Sequence, residues 1–386
     1  MAENNGSTQA KKTLLDMNAS WALLVVYLAY LIGIFFVQRY FASTLTGLNG
    51  YAYIFVSMLV GVLVTFLVYN FGKILFARIA GYRIIHMRLI GVVAERRETK
   101  LAFRFDPAAL LDIGLDFAPV DDNLDRNPTL IFIGGFVLEA VLLALGIGLF
   151  ALLGSDTIAG TACLSAVLYG FVIPFYELMP FRQDYPNDMF NIIKTRRADD
   201  RQAYNMVAIN ELREFAGDDF LLPSFQDYDS FYKVQTLIYL YLHQLYENQL
   251  EEAVKTLGKI KYLLKDMPDD KKYVLDRENI YLRFLTGDTE GASSYFQKAK
   301  SDYRKQIRSP YYLSDFRVAL IVCGFFTHDK ELLDNLFKDY RKTLSKLPSS
   351  PRVEKEKNLF RQVYETIRKN DSNQYLPPLE DESKPA

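Results

Sequence analysis

Four long apolar runs in the first half of the chain constrain its fold more than any other feature. They extend from Trp21 to about Val37, Tyr51 to about Val68, Thr129 to about Leu153 and Thr157 to about Met179. A helix needs about 20 apolar residues to cross a hydrocarbon core of about 30 Å. The runs carry almost no charge, which is not typical of a soluble core. We therefore expect a membrane domain with four transmembrane helices over residues 19–195.

The lysines and arginines between these runs predict the orientation. The segment between the second and third runs is rich in both, whereas the one between the third and fourth runs contains neither. Arg39 is the one basic residue between the first two runs. Lys11 and Lys12 precede the first run, and Lys194 follows the last. Because cytoplasmic loops are enriched in Lys and Arg, we predict a multi-pass protein of the cell membrane with both termini in the cytoplasm.

Composition excludes some classes of function. The formal net charge is −1, and no basic stripe with interleaved aromatic residues is present, so we expect no nucleic-acid partner. The two cysteines, Cys163 and Cys323, are too few and too far apart for a disulfide framework or a thiolate metal site. Histidine is equally scarce, because the chain has only three.

The second half, residues 199–370, shows amphipathic helices with a quasi-repeat of about 40 residues. Apolar helix ends lead into short polar turns at Asn248, Gly287 and His328, and a new helix follows each turn. The pattern resembles tetratricopeptide-like repeats and predicts a cytoplasmic surface for a protein partner. An irregular helical bundle that serves only as a spacer is the alternative. The polar ends, residues 1–18 and 371–386, are expected to be disordered.

The end of the second run carries the most informative motif. It reads Tyr69-Asn70-Phe71-Gly72-Lys73-Ile74-Leu75-Phe76-Ala77-Arg78-Ile79-Ala80-Gly81-Tyr82. It resembles the first core helix of the site-2 protease family of intramembrane zinc metalloproteases, in which H-E-x-G-H places two zinc-binding histidines and a general base on one helix face. In this chain Tyr69 and Lys73 stand at the histidine positions and Asn70 stands at the glutamate position.

Later segments extend this resemblance to about residues 51–195. Pro186-Asn187-Asp188-Met189 is similar to the turn that supplies the family's third zinc ligand, so Asp188 stands at the ligand position. Gly134-Gly135 resembles the family's glycine-bearing middle helix. Strand-like alternation between Ile84 and Phe105 predicts a short β-hairpin between the second and third spans.

The chemistry of the motif predicts no metal, no other cofactor and no catalytic residue. Amide and phenol groups are poor zinc ligands, and a lysine ammonium repels a cation. We expect Lys73 to pair with Asp188, with Tyr69 and Asn70 completing a hydrogen-bond network. The alternative is that Lys73 is an ordinary cytoplasmic anchor of its span. Two further intramembrane acids, Glu139 and Glu177, are expected to pack against protein rather than lipid.

These patterns predict an all-α membrane protein with about four transmembrane helices, a short β-hairpin and a cytoplasmic tetratricopeptide-like domain. The resemblance implies a non-catalytic pseudoprotease whose partners are the bilayer and a membrane-embedded protein or peptide client. One alternative is an active intramembrane hydrolase that uses Asp188 with other carboxylates. Another is an accessory subunit of a membrane transporter.

Overall fold

The structure is a computed structural model that describes most of the chain. The described residues are 19–42, 48–97, 100–106, 114–154, 157–178, 187–216, 218–222, 232–264, 269–299, 301–308, 310, 312–345, 347, 350–370 and 375–379. The protein is mostly helical (74%) with one small antiparallel sheet. It divides into two compact units, Met1–Glu95 with Phe103–Ala208 and Arg96–Ala102 with Ile209–Ala386. The sequence had suggested a boundary between residues 195 and 199.

The helices of the first part of the chain follow the apolar runs. They are α1 (Ala19–Ala42), α2 (Leu48–Ile79), α3 (Thr129–Leu153), α4 (Ile158–Gly170), α5 (Val172–Glu177), α6 (Asp188–Lys194) and α7 (Ala198–Ala216). The helix of the second run extends about eleven residues beyond Val68, so the whole 69–79 part of the motif is helical. The fourth run is interrupted at Phe171, where Pro174 cannot donate the backbone hydrogen bond that Gly170 would accept.

Within the part of the chain that the structure describes, three helical stretches are long and apolar enough to cross a membrane. They are Phe55–Ile79, Thr129–Leu153 and Ile158–Glu177. Among the described residues, the apolar part of α1 is the shorter segment Val25–Phe36. Three of the four expected spans therefore correspond to helices that could cross a membrane, and the fourth span stays a prediction.

The helix α1 nevertheless packs in the same unit as the other apolar helices. The Tyr30 hydroxyl donates to the Leu168 carbonyl at 2.8 Å, and the Tyr30 ring stacks on Phe175 with 4.8 Å between centroids. These contacts join α1 to α4 and α5 through aromatic side chains. A phenol group that donates to a main-chain oxygen has its polar atom satisfied, as a low-dielectric setting requires.

The segment between α2 and α3 forms a larger sheet than the short hairpin that the sequence predicted. Its strands are β1 (Tyr82–Leu89), β2 (Val92–Arg97), β3 (Lys100–Phe105) and β4 (Gly114–Pro119). Their order is β3-β2-β1-β4, and β1 is antiparallel to both β2 and β4. The protein is mostly helical, as predicted, but its β structure has four strands rather than the two of a hairpin. The alternation at residues 101, 103 and 105 marked one strand, but β4 offers no comparable pattern because its buried residues, 117–119, are consecutive.

The turn between β1 and β2 has two residues, Ile90 and Gly91, both with positive φ (49° and 77°). This is the geometry of a tight hairpin turn that matches the twist of the strands. A β-branched residue at positive φ is rare, and Ile90 is also an exposed apolar side chain. Leu89, at the end of β1, shares a groove with Leu67 and Val68. The end of β1 therefore lies beside the apolar part of α2.

The second unit is built from helices joined by short turns. They are α8 (Lys233–Tyr246), α9 (Leu250–Leu263), α10 (Asp269–Leu285), α11 (Thr289–Lys298), α12 (Ser301–Arg308), α13 (Leu313–Leu320), α14 (Lys330–Leu344) and α15 (Pro351–Asn370), with a π-helical segment, Ile321–Phe326, after α13. One contiguous apolar core runs through these helices.

The three turns that the quasi-repeat predicted share one geometry. Asn248, Gly287 and His328 each adopt positive φ (56°, 86° and 50°), and a new helix begins two residues later in each case. Gln249 N–H donates to the Gln244 carbonyl at 2.7 Å, and Asp288 N–H donates to the Arg283 carbonyl at 2.8 Å. These are the backbone bonds that close a helix through a left-handed residue. Helical hairpins at about 40-residue spacing are thus present, while the tetratricopeptide likeness stays a prediction.

A buried ion-pair cluster lies within the core of the second unit. The Arg317 guanidinium, 2% exposed, donates to Glu278 at 2.7 Å and to Glu356 at 2.9 Å. The Tyr241 hydroxyl donates to Glu278 at 2.6 Å. Burial alone would raise the pKa of Glu278, but Arg317 and Arg277 outweigh it and hold that pKa below its ordinary value. The cluster joins α8, α10, α13 and α15 through charges that satisfy one another.

The tail was expected to be disordered from residue 371, but residues 375–379 have a described place in the second unit. Leu376 and Leu379 pack against its apolar core, and Pro377 is buried. The sequence Tyr-Leu-Pro-Pro-Leu is an apolar island in an otherwise polar tail, so it can bury surface where its neighbours cannot. Residues 1–18, 371–374 and 380–386 lie outside the described residues.

Candidate functional site

The candidate site lies where α2 meets the start of α6. Tyr69 and Lys73 are four residues apart on α2, so they share one face of the helix. The Lys73 ammonium donates to Asp188 Oδ1 at 2.8 Å, and the Tyr69 hydroxyl donates to Asp188 Oδ2 at 2.7 Å. The Lys73 and Asp188 side chains are only 14% and 5% exposed. The structure therefore contains the Lys73–Asp188 pair that the sequence left open.

Two neighbouring side chains position Asp188. Asn187 caps α6, and its Oδ1 accepts from Phe190 N–H at 3.2 Å while its Nδ2 donates to the Tyr176 carbonyl at 3.2 Å. Asp188 N–H donates to Glu177 Oε2 at 2.8 Å. Because Asn is a favoured N-cap, the local sequence itself begins the helix at Asp188. Glu177 thus packs against protein as expected, and it holds the main chain of the residue that Lys73 binds.

Glycines bring α2 and α3 close enough to enclose the site. A Cβ atom at Gly72 would lie 2.4 Å from the Gly134 carbonyl oxygen, and one at Gly135 would lie 2.7 Å from the Tyr69 ring. Such separations are far below van der Waals contact, so only glycine fits. Tyr69 also meets the Phe136 ring edge to face at 5.5 Å. The glycines that carried the family resemblance thus have a packing role at this site.

Aromatic rings complete the surroundings of the Lys73 ammonium. Its nitrogen lies 5.9 Å from the centroids of the Tyr69 and Phe132 rings. A cation over an aromatic face gains electrostatic energy, and more so where water is excluded. Together with the Asp188 carboxylate, these rings provide a setting in which a buried ammonium is stable, whereas an unpaired one would be costly.

Asn70 does not join this network. Its Nδ2 donates to the Phe66 carbonyl, one turn earlier on α2, at 2.8 Å. Successive residues on a helix point about 100° apart, so Asn70 projects about 100° from Tyr69 and about 60° from Lys73, beside the face that they share. It lies instead in the wall of an apolar groove of about 440 Å³. The groove is lined by Leu67, Val68, Asn70, Phe71, Ile74 and Leu89.

Glu139 is separate from the ion pair. It lies on α3, is 3% exposed, and accepts a hydrogen bond from the side chain of Thr65 on α2. Its Oε2 is buried and makes no hydrogen bond to the described residues. The side chain faces protein, as the sequence predicted for an intramembrane acid.

The residues present do not fit the zinc ion that the resemblance would imply. Both oxygens of Asp188 already accept hydrogen bonds from internal donors, and one of these donors is a cation. A protonated amine has no lone pair to offer a metal. A phenol and an ammonium at the i and i+4 positions therefore replace the donor set that zinc requires.

Comparison with protein families, with curated proteins and with solved structures finds no match to this chain. The likeness to site-2 proteases therefore stays a resemblance of motif order and spacing. Sequence reasoning missed the capping role of Asn187 and the bond from Asp188 N–H to Glu177. The dipeptide Asn187-Asp188, an N-cap followed by an acidic first turn, is the signal that could have located this helix start.

Proposed function

We propose that this chain is a non-catalytic multi-pass membrane protein of the site-2 protease type. In this proposal it binds a membrane-embedded protein or peptide client through its first unit. The Tyr69–Asp188–Lys73 arrangement is the observation that carries the proposal. An internal ammonium takes the place that a metal would hold and keeps the carboxylate neutralised. The site then has a structural role, because its hydrogen bonds join α6 to α2. Without a metal ion it has no metal-bound water to act as a nucleophile.

The groove beside Asn70 supports a client-binding role. It adjoins the ion pair along α2, and its wall is apolar except for one amide. The Asn70 amide donates within its own helix, so its carbonyl oxygen is left to accept a hydrogen bond from an occupant. A membrane helix or peptide can supply such a donor, whereas the hydrocarbon chain of a lipid cannot. Polar contacts of this kind favour association of helices in bilayers.

The alternative of an intramembrane hydrolase finds less support. An aspartyl mechanism needs two carboxyl groups that share one proton. Each Asp188 oxygen instead accepts from Lys73 or Tyr69, and Glu177 accepts from a main-chain N–H. The buried oxygen of Glu139 that makes no hydrogen bond to the described residues favours a transporter subunit. However, the hydrogen bonds described above do not connect Glu139 to other polar groups that could carry an ion or a proton.

Restoring the metal ligands tests the ancestry of the site. We expect purified wild-type protein to hold no stoichiometric zinc, and the Tyr69→His, Asn70→Glu, Lys73→His triple variant to bind about one zinc per chain. Zinc content would be measured by mass spectrometry after dialysis, with folding checked by circular dichroism.

Two matched variants sharpen this zinc experiment. Adding Asp188→Asn to the triple variant removes the third ligand and should abolish zinc binding. Tyr69→His alone keeps the ammonium and should bind none. Stoichiometric zinc in the wild type would refute the proposal, and a folded triple variant without zinc would remove the claim of a former metal site.

Site-specific cross-linking tests the client. A photoreactive residue at Phe71, in the groove wall and 59% exposed, should form adducts with a membrane protein or peptide in native membranes. Leu145 on α3 is a matched control because it is 61% exposed and does not line the groove. It should form lipid adducts only. Equal protein adducts at both positions, or lipid adducts alone at Phe71, would contradict client binding in the groove.

A further inference from the structure

The tail segment, residues 375–379, lies along one face of α14 in the second unit. The Tyr375 hydroxyl donates to Asp334 at 2.7 Å, and its ring lies 4.3 Å from the Lys330 ammonium. At the other end, the Arg341 guanidinium donates to the Pro378 carbonyl at 3.2 Å. Positions 330, 334 and 341 are spaced i, i+4 and i+11, so they form one stripe on the helix. We name the surface of α14 along this stripe, on which residues 375–379 lie, the tail groove.

The chemistry of the tail segment suits binding in an extended form. Two of its five residues are prolines, which have no N–H to satisfy and hold φ near about −65°. Little backbone freedom is therefore lost when the segment becomes ordered. Its apolar side chains, Leu376, Pro377 and Leu379, provide the buried surface. At its two ends, the Tyr375 side chain and the Pro378 carbonyl are bound by charged side chains of α14.

The tail groove also has the properties of an exchangeable surface. Lys330, Asp334 and Arg341 are themselves exposed side chains, so they stay solvated if the segment leaves. The contacts that hold the segment are few and polar at its ends. A packed core element would instead leave buried charges unpaired on departure.

We propose that the tail groove is a peptide-binding site for an extended Tyr-x-Pro-Pro segment of a partner protein. Residues 375–379 occupy it in cis. The inference gives a partner chemistry to the protein-binding surface that the sequence predicts for the helical unit, and it is independent of client binding in the membrane unit. The last helix ends at Asn370, and four residues separate it from the segment. So short a tether creates an effective concentration on the order of millimolar, and a partner segment must bind well enough to displace the tail.

Peptide binding to chains with and without the tail tests this inference. The probe is a fluorescent peptide of residues 371–381, and binding is followed by anisotropy with the protein in detergent. We expect the peptide to bind a chain that ends at residue 370 and to bind the full chain at least tenfold more weakly, because the tethered tail competes. A full-length chain with Tyr375→Ala and Pro377→Ala empties the groove without truncation and should also bind the peptide.

Matched substitutions on α14 locate the site. In the truncated chain, Arg341→Gln should weaken peptide binding about tenfold, as expected when a charge-assisted hydrogen bond is lost. Its neighbour Lys342→Gln should leave binding unchanged. Asp334→Asn should weaken binding, with Asp339→Asn as its control.

Two results would overturn the inference. The first is that the peptide binds neither folded variant, and the second is that it binds the full and truncated chains equally. The zinc and cross-linking measurements concern the other unit, so failure here is distinguishable from failure of the proposed client binding.

Discussion

At the scale of single residues, pairing determines what each buried charge can do. Asp188 accepts from Lys73 and Tyr69, while Glu278 accepts from Arg317 and Tyr241. Asp188 thus meets one cation and one phenol, whereas Glu278 meets one phenol and two cations, because Arg277 also lies 3.2 Å from it. Removing a partner from such a cluster leaves a buried charge uncompensated, which costs more than the pair itself contributes.

Glu278→Gln is therefore expected to destabilise the second unit by about 3–5 kcal/mol. The folded-state pKa of Glu278 lies below its ordinary value, so its contribution is complete above about pH 5 and is lost as the pH falls through the folded-state pKa. The variant should consequently show a weaker acid dependence as well as a lower melting temperature, both measured by circular dichroism. Glu354→Gln, at an exposed pair with Lys357, should change neither by much. A melting temperature equal to that of the wild type would show that the cluster is not stabilising.

At the scale of elements, local sequence explains helix ends better than it explains sheets. Gly287 and Asn248 are residue types that tolerate positive φ, so their turns were predictable. His328, also a residue type that is enriched at positive φ, adopts the same geometry after the π-helical segment. The sheet was underestimated because pairing with a neighbouring strand, rather than the pattern within β4, determines its existence.

The continuous helix α2 shows how one element serves two purposes. Its exposed apolar residues, among them Leu59, Leu63, Leu67 and Phe71, recur with helical spacing and suit contact with lipid. The opposite face carries Gly72 against α3 and the Tyr69–Lys73 pair. Hydropathy predicted the exposed apolar face. The face that carries Tyr69, Gly72 and Lys73 could be recognised only from the spacing of these residues in the sequence.

At the scale of the whole molecule, the number of spans determines where the amino terminus lies. Three helical stretches meet the length needed for crossing, and α1 meets it only if its whole 24-residue helix is counted. An even number of spans places both termini on one side, as the loop charges favour, and an odd number separates them.

Reporter fusions test this topology. We expect fusions at residue 1 and at residue 386 to report the cytoplasm, and a fusion within residues 43–47, between the first two apolar runs, to report the opposite side. A fusion within residues 107–113, between the second and third apolar runs, is the control and should report the cytoplasm. A residue-1 fusion outside the cytoplasm, with the carboxyl-terminal fusion inside, would reduce the spans to three.

The sequence by itself located the three helices that are long and apolar enough to cross a membrane and the hairpin turns of the helical half. These follow from local composition and period, which need no tertiary contact. It also brought Lys73 and Asp188 forward as candidates, because a lysine near the membrane core needs a partner. Only the tertiary structure decided that they meet, that Asn70 faces a groove and that residues 375–379 bind α14. Each depends on which distant surfaces pack together, and residues 115 positions apart, as Lys73 and Asp188 are, carry no local signal of that contact.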